Sequence, residues 1–282
     1  MATAVVRYTA AAVTDRGRKR SSNEDAFGYS VEHGVYIVCD GMGGAAAGEI
    51  ASSLAVDEVL KLVTERVAER ITDRVTDRAA VHATGNSEED GSPAHHPLPS
   101  IAEEAVVAAN NAIHSRAQRN ARLAGMGTTL VALLASMPEE DRRVWILNVG
   151  DSRCYRLRDH HIQLCTQDHS LVEEQVRLGR MSRSEAARSP LRNVITRALG
   201  TQVSVTPDLI EAEVEPGDLF LLCSDGLTRE LSDEKIESIL NTSIGGMNPE
   251  AVPLEELCNR LIQAANKAGG HDNITCLIVR VD

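Results

Sequence analysis

Four aspartates of this 282-residue chain sit where short apolar runs stop or start. Asp40 closes the run YIVC, Asp225 follows LFLLCS, Asp151 follows WILNVG, and Asp272 stands just before NITCLIVRV. Runs of this length, bounded by glycine and turn residues, read as buried strands. A carboxylate at the end of such a strand is held rigidly yet reaches the edge of the sheet. Several carboxylates gathered there repel one another, and cations relieve that repulsion. An all-oxygen set without His or Cys favours Mg²⁺ or Mn²⁺ over zinc. Gly41, directly after Asp40, lets the backbone come close and offer its carbonyl as a further ligand. Each Asp-Gly pair alone reads equally well as a turn; the four strand-end aspartates together point to a site.

The rest of the chain frames these strands. Residues 4–14 read as a strand, and a long helix is expected from about Ala45. Residues 63–78 repeat every four positions (VTER, VAER, ITDR, VTDR), and a period of four drifts by ~40° per repeat on a helix. The apolar stripe therefore leaves any flat surface, while Arg66 and Arg70 can pair with Glu69 and Asp73. Residues 82–100, including His95 and His96, read as a mobile loop, and a second helix over 101–120 pairs antiparallel with the first. The stretch 126–165 reads as one antiparallel meander, and 166–200 as a charged, partly helical subdomain broken at Ser189-Pro190. Strands at 208–214 and 218–223 follow, then helices at 232–240 and 254–267 and the closing strand. This pattern is α+β.

Composition removes several classes of function. With 29 Lys+Arg against 41 Asp+Glu the net charge is −12, and aromatics are 2% of residues. Nucleic-acid binding, by a basic footprint or by base stacking, is not expected. No run approaches the ~18 apolar residues of a membrane span, and the first twenty residues do not read as a secretory signal. The six cysteines form no CxxC pair and read as small buried thiols, so a cytoplasmic location is expected.

Seven segments, in order, now carry a resemblance: Arg20, Asn23, Glu24 and Asp25 in RxxNED, then VCDGMGG (38–44), GMGTTL (125–130), NVGDSRCYR (148–156), TQDHS (166–170), CSDGLT (223–228) and GGHDNIT (269–275). Together they resemble the metal-dependent Ser/Thr protein phosphatases of the PP2C (PPM) family, bacterial branch. The resemblance implies a four-layer α-β-β-α sandwich, with two antiparallel sheets flanked by helix pairs and the metal cluster at one end. It implies a single phosphatase domain over 1–282, an extended helix and loop at 63–100, and a small flap subdomain at 166–200. Two Mn²⁺ or Mg²⁺ ions are implied, with a weaker third. Asp40 would bridge the two, Gly41 would give its carbonyl to one, Asp225 and Asp272 would bind the other, and Asp151 would serve the third. Glu24 and Asp25 would hold metal-bound waters, and Arg20 would grip the substrate phosphate. Hydroxide formed between the metals would attack phosphorus in line with no phosphoenzyme. The implied partners are phosphorylated proteins, including a Ser/Thr kinase or its substrates, met by a monomer without nucleic acid or membrane.

One departure stands out. Relatives carry a histidine after DGMGG or directly after DG, where this chain has Ala45 and Met42. Neither can donate a proton to the leaving group, which leaves a metal-bound water, His169 or His33 as candidates. Two other readings stand beside the main one. CSDGLTR, from Cys223 to Arg229, matches the C-x5-R of cysteine-dependent phosphatases, although Asp225 inside that cradle would repel a phosphate dianion and raise the thiol pKa. A non-catalytic phosphoprotein-binding module on the same fold is the other. In the flap, Arg192 and Arg197 are candidates to meet an acidic or phosphorylated segment.

Overall fold

In the computed structural model, which describes residues 6–84, 97–136, 142–243 and 252–282, alternating strand residues sort into two sheets, each with its own helical cover. The elements run β1 (Tyr8–Asp15), β2 (Asp25–Ser30), β3 (Val35–Met42), α1 (Ala45–Thr84), α2 (Leu98–Arg119), β4 (Gly127–Thr128), β5 (Leu130–Ala135), β6 (Arg143–Val149), β7 (Arg153–Arg158) and β8 (His161–Leu164). They continue with α3 (Leu171–Arg177), α4 (Arg183–Arg188), β9 (Asp208–Glu213), β10 (Leu219–Cys223), α5 (Asp225–Thr228), α6 (Asp233–Leu240), α7 (Leu254–Ala268) and β11 (Ile274–Val281). One sheet is ordered β1-β11-β10-β7-β8, the other β2-β3-β5-β6-β9 with β4 on the end of β3, and the pairings are antiparallel.

Side-chain parity explains the layers. On β3, Val35, Ile37 and Cys39 pack against α1 and α2, whereas Tyr36 and Val38 face the opposite sheet. On β10, Leu219, Leu221 and Cys223 face α6 and α7, whereas Phe220 and Leu222 face inward between the sheets. Because side chains alternate along a strand, Asp40 continues the inter-sheet row of Tyr36 and Val38. The inner strands β3, β5, β10 and β11 are buried on both faces and so read as continuous apolar runs rather than alternating ones.

Two expectations are corrected here. The stretch 126–165 is not one meander: β5 and β6 belong to one sheet and β7 and β8 to the other. The chain crosses between them at Gly150 (φ 112°) and Asp151. A side chain at Gly150 would also meet Thr129, with Cβ 2.6 Å from its Cγ2. The second correction is β2, which the polar cluster at 21–25 hid.

The helical expectations hold in outline. On α1 the apolar stripe is buried at Val59, Val63 and Val67 and is only partly covered by Ile71, as a four-residue period requires. Arg66 bonds Glu69 at 3.1 Å and Glu104 of α2 at 2.8 Å. The Arg70–Asp73 pairing and most of the loop at 82–100, including His95 and His96, lie outside the described residues. Within 166–200, Ser170 caps α3, and Ser182 with Glu185 forms a capping box on α4, which stops at Ser189. Among the described residues, no helix is long and apolar enough to cross a membrane.

Candidate active site

The end of the sandwich where β3, β10 and β11 meet is built from backbone crossings before any functional side chain is placed. Asp25 and Asp40 are directly opposed across β2 and β3. The amide of Gly41 donates to the Glu24 carbonyl at 3.1 Å, and Ser52 of α1 donates to the same carbonyl at 2.6 Å. Asn273 joins the third strand: its Oδ1 accepts from the Glu24 amide at 2.8 Å, and its Nδ2 donates to the carbonyls of Arg16 and Ser22. The start of α1 packs backbone to backbone on this junction. A Cβ at Gly41 would stand 2.2 Å from the Gly48 carbonyl, and a Cβ at Gly48 would stand 2.0 Å from Glu24 Oε2.

All eight residues singled out from sequence converge here. Arg20, Glu24, Asp40, Gly41, Asp225 and Asp272 line one cavity of about 330 Å³ with Met42, Asn193 and Arg229. Asp151 lines the adjoining cavity of about 210 Å³ with Asp225 and Arg229. Asp25 lies just beneath, 9% exposed, with Oδ2 accepting from Ser224 at 2.8 Å and from Thr275 at 2.7 Å. Asp40 is held from behind, its amide donating to Thr129 Oγ1 and its carbonyl accepting from Thr128 Oγ1, each at 2.9 Å. Gly150, next to Asp151, donates its amide to His169 Nδ1 at 3.0 Å.

Electrostatically the cluster is in debt. Burial pushes Asp25 up to about 6, against two hydroxyl hydrogen bonds that pull the other way. Burial also drives Asp40 and Asp225 well above the carboxylate range, with the surrounding aspartates adding repulsion. Asp151 is raised by burial and Glu24 likewise. Oδ1 of Asp25, of Asp151 and of Asp225 is buried without a hydrogen-bond partner. A buried carboxylate oxygen with no donor is expensive for a folded protein to keep.

Among the described residues, no three acidic, His or Cys side chains already close on one point as a coordination sphere; two guanidinium groups lie among them instead. Arg20 donates to Asp272 Oδ2 at 2.8 Å. Arg229 pairs with Asp225, donates to the same Asp272 oxygen at 3.1 Å, and lies 4.0 Å from Asp151. The donor set is all oxygen, it carries unpartnered buried oxygens, and it draws in whatever cation the chain offers. It therefore fits hard divalent ions.

The site also uses residues that the sequence pattern alone does not single out. Ser224, Thr275, Thr129 and Asn273 support the aspartates, and each stands inside or beside one of the seven segments. Arg229 stands out in the sequence only as the last residue of C-x5-R. The two histidines named as proton donors are not placed for that role. His33 bonds Ser30 in the hairpin at the far end of β3. His169 is buried, with Nδ1 accepting from Gly150 and Nε2 3.1 Å from Asp208. Arg197 is committed to Asp208 at 2.6 Å, whereas Arg192 is exposed and lines the cavity mouth.

Comparisons with known proteins bear on the family and the fold. Residues 14–270 match the family model described as protein phosphatase 2C. A serine/threonine phosphatase stp of Listeria monocytogenes is 35% identical over 272 residues, which is 95% of this chain and 94% of the relative. The serine/threonine protein phosphatase PstP of Mycobacterium tuberculosis is 37% identical over 281 residues, 99% of this chain but 46% of PstP, so the chain spans about half of that relative. A crystal structure of the PstP catalytic domain with two manganese ions superposes with a TM-score of 0.75 at 33% identity, covering 98% of this chain and 99% of that one. The Streptococcus agalactiae serine/threonine phosphatase superposes with a TM-score of 0.75 at 31% identity, over 98% of this chain and 100% of the other.

Proposed function

The chain belongs to the protein phosphatase 2C family and is a metal-dependent protein serine/threonine phosphatase, and we propose that its active site is the carboxylate end of the two sheets. The observation that carries this assignment is the set of buried, unpartnered oxygens on Asp25, Asp151 and Asp225 beside Asp40 and Asp272. In this reading Asp40, the Gly41 carbonyl, Asp225 and Asp272 hold two Mn²⁺ or Mg²⁺ ions, and Asp151 serves a weaker third. When bound, the ions supply Lewis acidity toward the phosphoryl oxygens and an activated water near neutral pH.

The chain's own residues do the rest. Arg20 stands at the cavity rim with its guanidinium half exposed, placed to take two equatorial phosphoryl oxygens in a bidentate grip. Glu24 and Asp25 hold water through their carboxylates, Asp25 from the Oδ1 that no protein donor satisfies. The wall of β3, closed by Thr128 and Thr129, fixes Asp40 so that little reorganisation accompanies the reaction. No covalent adduct with the chain is needed. The rival nucleophile, Cys223, faces the α6 and α7 layer, its thiol pushed up to about 12 by burial. With Met42 and Ala45 in place of histidine, and with His33 and His169 held elsewhere, leaving-group protonation falls to water in the cavity.

Phosphorylated proteins are the substrates, and a Ser/Thr kinase or its targets belong among them. We read residues 166–200 as a flap bordering the cavity, the whole chain as one catalytic domain and a monomer, and its location as cytoplasmic, since its six cysteines are free. The test is hydrolysis of p-nitrophenyl phosphate and of a phosphothreonine peptide with Mn²⁺, with chelator, and after Mn²⁺ is restored. Activity lost to chelator and regained with Mn²⁺ is expected; turnover indifferent to chelator would overturn the assignment.

A further inference from the structure

Arg229 caps the C-terminus of the one-turn helix α5, four residues after Asp225, so both side chains leave the same side of the turn. Its Nη2 pairs with Asp225 and lies 4.0 Å from Asp151 Oδ2, while its Nη1 is 3.1 Å from Asp272 Oδ2. A single guanidinium thus spans three of the carboxylates read as metal ligands. Arg20 contacts Asp272 alone among them. Asp151 and Asp225 are each only 6% exposed, and each retains a second oxygen with no donor. The guanidinium is fixed-charge and planar, and it cannot be switched off by deprotonation. It therefore occupies the Asp151–Asp225 side whenever nothing of higher charge does.

We infer that Arg229 is an internal counter-cation, which stabilises the metal-free cluster and competes with divalent metal for the Asp151–Asp225 side. The inference rests on the reading of Asp40, Asp151, Asp225 and Asp272 as metal ligands. Its physical content is a linkage: a group that stabilises the metal-free state more than the metal-bound state weakens metal binding by the same factor. A cation on Asp225 and Asp151 must drive Arg229 out, because like charges at such separations repel strongly away from bulk water. Space for the displaced group exists. Arg229 also lines a groove of about 840 Å³ with Arg20, Arg192, His271 and Asp272. The weakest metal position is then set by this chain's own arginine as well as by its aspartates.

The experiment is Mn²⁺ titration by calorimetry, together with thermal unfolding in chelator and in saturating Mn²⁺, on the wild type, Arg229→Gln, Arg229→Lys and Asp225→Asn. Arg229→Gln is expected to tighten the weakest Mn²⁺ site by about tenfold or more. It is also expected to lower the unfolding temperature in chelator and to narrow or reverse that deficit in Mn²⁺. Arg229→Lys, which keeps the charge but not the fork, should fall between the two and serves if Arg229→Gln does not fold. Unchanged or weaker Mn²⁺ affinity in the variant that folds, with no loss of metal-free stability, overturns the inference. Failure of the ligand reading looks different: Mn²⁺ binding would then survive in Asp225→Asn.

Discussion

Strand β10 is flanked by two buried aspartates, one before it and one after it, and the two are treated in opposite ways. Asp218, immediately before Leu219, is 1% exposed. Arg158 grips both of its oxygens, at 2.7 and 2.6 Å, and the Glu215 amide adds a third donor at 2.9 Å. Asp225, two residues beyond Cys223, is 6% exposed, keeps one oxygen without a donor, and sits among four other aspartates. The two positions bury a carboxylate at opposite ends of the same strand. At one the chain supplies its own countercharge in a bidentate fork; at the other it supplies less than the charge present. A buried acid that is fully satisfied belongs to the scaffold, while one left in deficit is held ready for a cation from outside.

The largest effect that tests this contrast is on turnover. Asp225→Asn or Asp40→Asn should lower Mn²⁺-dependent p-nitrophenyl phosphate hydrolysis by at least ~10³-fold, since each breaks the proposed ligand set. Thermal unfolding of the same variants in chelator should show no loss of stability and a gain where repulsion is relieved. Asp218→Asn should do the reverse. It removes the bidentate partner of Arg158, which is 24% exposed and keeps Glu215 as a countercharge, and should cost about 2 kcal/mol in denaturant unfolding while leaving kcat of the folded enzyme within about twofold. Equal behaviour of Asp218→Asn and Asp225→Asn would dissolve the distinction.

A smaller, pH-dependent effect follows from Asp25. Its folded-state pKa of about 6 lies above the ordinary value of 3.8, so the folded form holds this proton more tightly than the unfolded form does. Its contribution is fully present below pH 3.8 and is lost as pH rises through about 6. Unfolding midpoints in chelator at pH 5 and pH 7.5 should therefore differ less in Asp25→Asn than in the wild type. The smallest effect belongs to Cys223→Ser. A thiol buried against the α6 and α7 layer contributes packing rather than chemistry, so activity should stay within about twofold, with a modest loss of stability.

The legible part of this molecule was what short-range chemistry controls. Apolar runs that stop before Asp40, Asp151 and Asp225 or start after Asp272 announced the strands and the sheet end at which these carboxylates gather, because burial on two faces removes polar residues until the sheet edge is reached. The helix from Ala45 and its wandering stripe followed from periodicity alone. What stayed hidden depends on long-range pairing. The crossing at Gly150 looks like any tight turn, since nothing local records which sheet the next strand joins. The strand from Asp25 to Ser30 gains its place from β3 beside it and from α1 packed against it. Arg229 sits in a motif suggestive of another chemistry, and its reach to Asp151 and Asp272 exists only after α5 meets β11 and the Gly150 turn.

The crossing of Gly41 with Gly48 has a consequence for anyone trying to make this enzyme more robust. Replacing helical glycine with alanine is a routine stabilising edit, worth up to ~1 kcal/mol where the helix face is open. Gly48, in the first turn of α1, presents itself as an obvious target by that rule. Yet its missing methyl group is the space in which the Glu24 carboxylate stands. The edit would push Glu24 or the Gly41 backbone away from the aspartates, trading catalytic geometry for helix propensity. A stabilisation campaign on this scaffold should start at glycines far from that junction.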